Sequence, residues 1–202
     1  SVGEDGATHQ CNEDIALMRT IPGMVVINPA DDVEAKAAVK AAIEHVGPVY
    51  LRFGRMAVPV INDHPDYKFE LGKGIVLRDG KDITIVATGL MVAEAVEAGE
   101  KLAAEGIDAR IINIHTIKPL DEELIVKAAE ETGKIITIEE HSVIGGLGSA
   151  VCDVVSAKCP VPVVKMGVQD VFGHSGPGGD LITEFGLRAA NIVEEAKKML
   201  NK

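Results

Sequence analysis

Short apolar runs alternate with helix-length amphipathic segments along most of this chain, and that alternation limits its folds more than any other feature. A strand buried on both faces needs a helical crossover before the next parallel strand can join it. Beyond residue 80 the pattern is regular: strand Ile83 to Thr88, helix Met91 to Glu105, strand Arg110 to Ile114, helix Asp121 to Thr132, strand Lys134 to Glu139. A helix from Leu147 to Lys158, a strand near Val161 to Met166 and an amphipathic segment Ala189 to Leu200 continue it. The expected fold class is α/β, with parallel-dominated sheets covered by helices on both faces. Upstream, Met24 to Asn28 reads as a strand, two aspartates cap a helix from Val33 to Val46, Gly47-Pro48 breaks it, and Val49 to Phe53 is the next strand. Val60 to Lys73, with Asp63, Pro65 and Asp66 and little periodicity, is the expected interdomain linker.

Charge and composition narrow the partners. Thirty-one acidic against 20 basic side chains leave a net charge of -11, which repels nucleic-acid phosphates and anionic lipid. Four Phe, two Tyr and no Trp offer little for base stacking. Cys11, Cys152 and Cys159 form no CxxC pair and read as incidental thiols of a reducing compartment. No apolar run approaches the roughly 20 residues that span a bilayer, so a cytoplasmic chain without membrane or nucleic-acid partners is expected. The glycine-rich polar opening, with no element before it, reads as a cut into a domain and implies an upstream segment.

Four clusters carry chemically useful side chains. Gly3-Glu4-Asp5-Gly6-Ala7-Thr8-His9-Gln10 gathers acid, hydroxyl, imidazole and amide on a glycine-bearing loop, where glycines permit positive φ and His9 can move a proton near neutral pH. The plainer reading is a helix entry in which Thr8 caps a helix from His9 to Arg19. Arg52 and Arg55 follow the second strand, where parallel sheets bind ligands and guanidinium forks suit phosphate or carboxylate; surface ion pairing is the plainer alternative. Glu139-Glu140-His141-Ser142 leads into Gly145-Gly146-Leu147-Gly148, but Val151 replaces the last glycine of a nucleotide fingerprint and the two glutamates oppose a pyrophosphate. His141 therefore reads as structural. Phe172-Gly173-His174-Ser175-Gly176-Pro177 lacks the elbow and acid of a hydrolase triad, and the six histidines have no metal-ligand spacing.

Taken in order, these segments resemble transketolase. Gly3 to Gln10 is similar to that family's GEDGPTHQ loop, Ile21-Pro22-Gly23-Met24 through Asp31 to its following strand, and Gly47-Pro48 through Arg55 to its next strand. Phe172 to Pro177 with Glu184-Phe185-Gly186-Leu187 resembles the FGxSxP and FG ending. The resemblance covers nearly the whole chain. It implies a partial pyrimidine-binding domain over residues 1–60, a linker over 61–73 and a three-layer C-terminal domain over 74–202. It also implies transfer of a two-carbon ketol unit from a ketose phosphate to an aldose phosphate. Thiamine diphosphate and a divalent metal (Mg or Ca) serve the complete enzyme. By position, Asp5 is expected to bind a donor hydroxyl, His9 to act catalytically at the reacting end, and Arg55, with Arg52, to bind the donor phosphate. No cofactor or metal ligand is expected in this chain, and an inactive fragment, a missing N-terminal part or subunit, sugar phosphate substrates and a homodimer follow. Ala7 in place of the usual Pro and the additional Arg52 are departures, and Arg52 is more like the related deoxyxylulose-phosphate synthases. Fragments of such a synthase or of a pyruvate-dehydrogenase-type β chain, and a non-catalytic α/β interaction domain, are the alternatives.

Overall fold

The computed structural model describes residues 2–201, so residues 1 and 202, the outer ends of the two expected domains, lie outside it. A 3₁₀ turn, Gly3–Asp5, precedes helix α1 (Asp14–Thr20), strand β1 (Val25–Ile27), helix α2 (Asp32–Glu44) and strand β2 (Val49–Leu51). Next come β3 (Ile75–Arg78), β4 (Ile83–Ala87), α3 (Met91–Ala104), β5 (Ala109–Asn113) and β6 (Thr116–Lys118). The chain continues through α4 (Glu122–Thr132), β7 (Ile135–Ser142), α5 (Leu147–Lys158), β8 (Val163–Val168), α6 (Gly178–Glu184) and α7 (Ala189–Leu200).

The larger sheet has the order β3-β5-β4-β7-β8, parallel throughout except where β3 runs against β5. Every residue of β4 and β5 is buried, because side chains of α3 and α7 pack on one face and those of α4 and α5 on the other. That is the expected three-layer α/β arrangement, and it explains why these strands are apolar runs rather than alternating ones. Asp121 caps α4 by accepting from the Leu124 N–H at 3.2 Å, and Gly133 ends it with φ 67°.

Three elements were not expected: β3, β6 and α6. Strand β6 has only three residues and carries no periodicity, yet it pairs antiparallel with β1 and completes a smaller sheet of order β2-β1-β6. A strand from the second half of the chain thus finishes the sheet begun by the first. The helix expected from His9 is also corrected, since residues 7–13 run in turns and α1 starts only at Asp14. Gly6 takes φ 77°, the N–H groups of His9 and Gln10 both donate to its carbonyl, and the Asn12 carbonyl accepts from Ser142. Backbone groups that a helix would use are thereby committed elsewhere, and the Thr8 hydroxyl meets His9 Nδ1 at 3.0 Å instead of capping.

The expected linker lies against both sheets. Asp31 caps α2 through Glu34 N (2.9 Å), and its other oxygen takes the N–H groups of Ile61 and Asn62, each at 2.7 Å. Burial works against this carboxylate, but these bonds outweigh it and hold the acid below its ordinary range. Glu34 is fully buried and accepts from Ala30 N (2.6 Å), Tyr67 Oη (3.2 Å) and Asn113 Nδ2 (2.9 Å), so it ties α2, the linker and β5 together. There burial wins and the acid is pushed up. Phe69 stacks on buried His115 with ring centroids 4.3 Å apart. Glu34→Ala would orphan the Asn113 amide and the Tyr67 hydroxyl, and a loss of about 2–4 kcal/mol is expected. Urea denaturation measures it; an unchanged midpoint would contradict the role given to Glu34.

Candidate functional site

Two glycine-rich loops that are far apart in sequence meet in space. The side-chain amide of Gln10 donates to the His174 carbonyl at 3.0 Å. At Gly6 an added Cβ would stand 2.6 Å from Ser175 Oγ, and its positive φ already favours glycine. The first and fourth sequence clusters are therefore one surface, with α6 beneath the 3₁₀ turn.

On that surface Asp5 and Arg55 form an ion pair between half-exposed side chains. His9 is exposed on the same loop. It also lines a cavity of about 310 Å³ bounded by the carboxyl ends of β2, β7 and β8 and by Leu181, Ile182 and Phe185. Ligands of open α/β sheets occupy such crevices, and here two sheets present strand ends to the same space. Asp5 and Arg55 are thus brought together, and His9, on the same loop as Asp5, faces the cavity.

Arg52 lines the same cavity as His9. Expected as a second anion ligand, it turns inward with its side chain 13% exposed. Its Nε donates to Asp14 Oδ2 at 2.8 Å, and Nη2 donates to the carbonyls of Cys11 (3.1 Å) and Glu140 (2.9 Å). The Tyr50 hydroxyl donates to the same Asp14 oxygen at 2.8 Å, and burial, then Asp14, pushes that phenol up to about 12. Sequence reasoning missed Asp14 and Tyr50 altogether. The available signal was an acid at the start of an apolar helix facing a tyrosine-arginine strand end.

The third cluster resolves into a structural cap. Fully buried Glu139 accepts from Leu147 N (2.7 Å) and Gly148 N (2.9 Å), the first amides of α5. Its carboxylate occupies the place a phosphate would take. At Gly146 an added Cβ would lie 2.0 Å from Glu139 Oε2, so that glycine serves the cap. Burial pushes Glu139 up to about 7 despite the two amides. His141 is also fully buried, with Nδ1 2.7 Å from the Ser142 carbonyl and Nε2 accepting from Ala16 N at 3.4 Å. Burial holds it below the ordinary histidine value, so the neutral ring acts as a spacer. His174, exposed, pairs with Glu184 at 3.0 Å, and the Ser175 carbonyl, then Glu184, raises it.

These residues do not compose a diphosphate-and-metal site. Among the described residues no group of three or more His, Cys, Asp or Glu could hold a cation. The best helix N-terminus for a phosphate is filled by Glu139. Among the described residues no helix is long and apolar enough to cross a membrane.

Two family models match this chain. The family described as transketolase, pyrimidine binding domain, matches residues 1–60, and transketolase, C-terminal domain, matches residues 72–192. A 6-deoxy-6-sulfo-D-fructose transketolase subunit from a Clostridium species is 46% identical over 98% of this chain and 61% of its own length. A putative transketolase C-terminal section from Methanocaldococcus jannaschii is 46% identical over 98% of this chain and 64% of its own. A 1-deoxy-D-xylulose-5-phosphate synthase from Heliobacterium modesticaldum is 40% identical over 98% of this chain and 31% of its own. A solved structure titled split gene transketolase, inactive beta4 tetramer, superimposes with TM-score 0.90 at 50% identity, covering 96% of this chain and 63% of that one. The chain therefore spans less than two thirds of the length of these relatives.

Proposed function

The chain belongs to the transketolase family, a thiamine-diphosphate-dependent family, and from that premise we propose that it furnishes one wall of the donor site in an enzyme that transfers a two-carbon ketol unit from a ketose phosphate to an aldose phosphate. The observation that carries this reading is the ion pair that Arg55 makes with Asp5, on the loop whose His9 lines the strand-end cavity. Arg55 grips the donor's terminal phosphate, and Asp5 holds it in place until the phosphate arrives. Once released, Asp5 accepts from a donor hydroxyl. His9 hydrogen-bonds the oxygen at the reacting end and moves a proton there. Thiamine diphosphate and its divalent metal sit in residues supplied by an upstream part or separate subunit, and the complete enzyme pairs as a homodimer in the cytoplasm.

The experiment is reconstitution of the chain with its upstream partner, thiamine diphosphate and magnesium. Ketol transfer should require both chains, and isothermal titration of this chain alone with the cofactor and magnesium should show no binding at micromolar concentrations. Tight binding to the isolated chain would place the cofactor site here and overturn the division of labour. Within the reconstituted enzyme, Arg55→Ala should weaken the transition state for a phosphorylated donor by about 1.5–3 kcal/mol, roughly 10- to 150-fold, and spare hydroxypyruvate. Equal losses for both donors would make Arg55 structural.

A further inference from the structure

Arg52 and Arg55 are three residues apart on the same strand end, yet their surroundings assign them different work. Arg55 is half exposed and pairs with the Asp5 carboxylate. Arg52 is largely buried, and its bonded donors reach Asp14 at the start of α1, the Cys11 carbonyl within the loop that bears His9, and the Glu140 carbonyl near the end of β7. Nη1 faces the Glu140 carboxylate at 3.9 Å. Nε and Nη2 are committed, Nε to an Asp14 oxygen that Tyr50 shares, so a phosphate reaching Arg52 from the cavity it lines would find only Nη1, against the Glu140 carboxylate.

We propose that Arg52 is a positioning residue: a clamp in the cavity wall that fixes the His9-bearing loop against the C-terminal sheet, with no part in binding the donor's anion. The proposal rests on the reading of His9 and Arg55 given above. It gives the larger sheet a share in the reaction, because the carboxyl end of β7 becomes the anvil on which the loop is set. The Asn12 carbonyl, which accepts the Ser142 N–H at 2.7 Å, reinforces the same junction. A planar fork with three kinds of N–H suits this task, since one side chain can meet a carboxylate and two carbonyls at once. A loop held by fewer bonds would leave the imidazole mobile by an ångström or more, enough to lower turnover without altering how the donor's far end is held.

Arg52→Gln and Arg52→Lys are compared in the reconstituted enzyme with a phosphorylated donor and with hydroxypyruvate. Arg52→Gln should lower kcat roughly 10- to 100-fold for both donors alike, leave the KM of the phosphorylated donor within about threefold, and be partly rescued by Lys. In the isolated chain, amide exchange over residues 9–13 should quicken about tenfold or more in Arg52→Gln, while exchange in β4 and β5 stays slow. If Arg52→Gln does not fold, Asp14→Asn, which keeps the shape and weakens the clamp, should give the same kcat-only pattern in smaller degree. A KM rise confined to the phosphorylated donor would make Arg52 an anion ligand and overturn the proposal, as would unchanged exchange over residues 9–13. Should His9→Ala and Arg55→Ala leave both donors untouched, the donor-site reading falls, while the exchange measurement still decides whether Arg52 holds the loop.

Discussion

Glu139→Ala is expected to lower the stability of the fold by about 2–4 kcal/mol, because two buried helix-start amides, Leu147 N and Gly148 N, lose their acceptor together. Each orphaned amide costs on the order of 1–3 kcal/mol, and the relief of no longer burying the acid returns part of it. The same group sets an opposing pH dependence. Glu139 rises to about 7 on folding, so its contribution is full below its unfolded value near 4.5 and is lost as pH climbs through about 7. Burial moves His115 the other way, down to about 4, so its contribution is full above about 6.5 and is lost as pH falls toward 4. Between these limits the two slopes oppose each other. In Glu139→Gln the downward slope set by this acid is removed, so urea midpoints should rise from about pH 5 to pH 7 by more than in the parent. Parallel pH profiles for parent and variant would show that Glu139 is not the group that titrates.

Much of this architecture could be read from local pattern, since β4, β5 and β7 are buried runs bounded by turn residues and α4 carries its own Asp121 cap. What could not be read depends on partners distant in the chain. Strand β6 gains its identity only from β1, about 90 positions away in the register that joins Val26 to Lys118. The late start of α1 reflects carbonyls of Cys11 and Asn12 already taken by Arg52 and Ser142. Arg52 and Arg55 look equivalent in sequence, and only Asp14, 38 positions upstream of Arg52, separates their roles. The glutamates before the Gly145-Gly146 turn were read as hostile to a phosphate; one of them is itself the occupant of that helix start. Glu34 offered no signal, because an acid in an alanine-rich helix looks solvated until Asn113 and Tyr67 are placed beside it.

His9→Ala should cut ketol transfer in the reconstituted enzyme by about 100-fold or more, the usual scale for removing a positioned proton-transfer group, and leave the isolated chain's stability within about 0.5 kcal/mol. The two halves of this expectation come from separate observations. The imidazole is exposed, and its bond to Thr8 Oγ1 at 3.0 Å is to a neighbour in sequence, so little folding energy is lost with it. It also lines the strand-end cavity, on the same loop as Asp5, which is where the proposed donor site has its reacting end. The loss should fall on kcat and be equal for a phosphorylated donor and for hydroxypyruvate, because both carry the same reacting carbonyl. That pattern separates His9 from Arg55, whose removal should discriminate between the donors. It does not by itself separate His9 from Arg52, whose variants also lower kcat alike for both, but amide exchange does: His9→Ala leaves the clamp intact and residues 9–13 protected, whereas Arg52→Gln frees them. Unchanged turnover in His9→Ala, or a stability loss large enough to account for lower activity, would remove this histidine from the chemistry and leave Asp5 and Arg55 as donor ligands only.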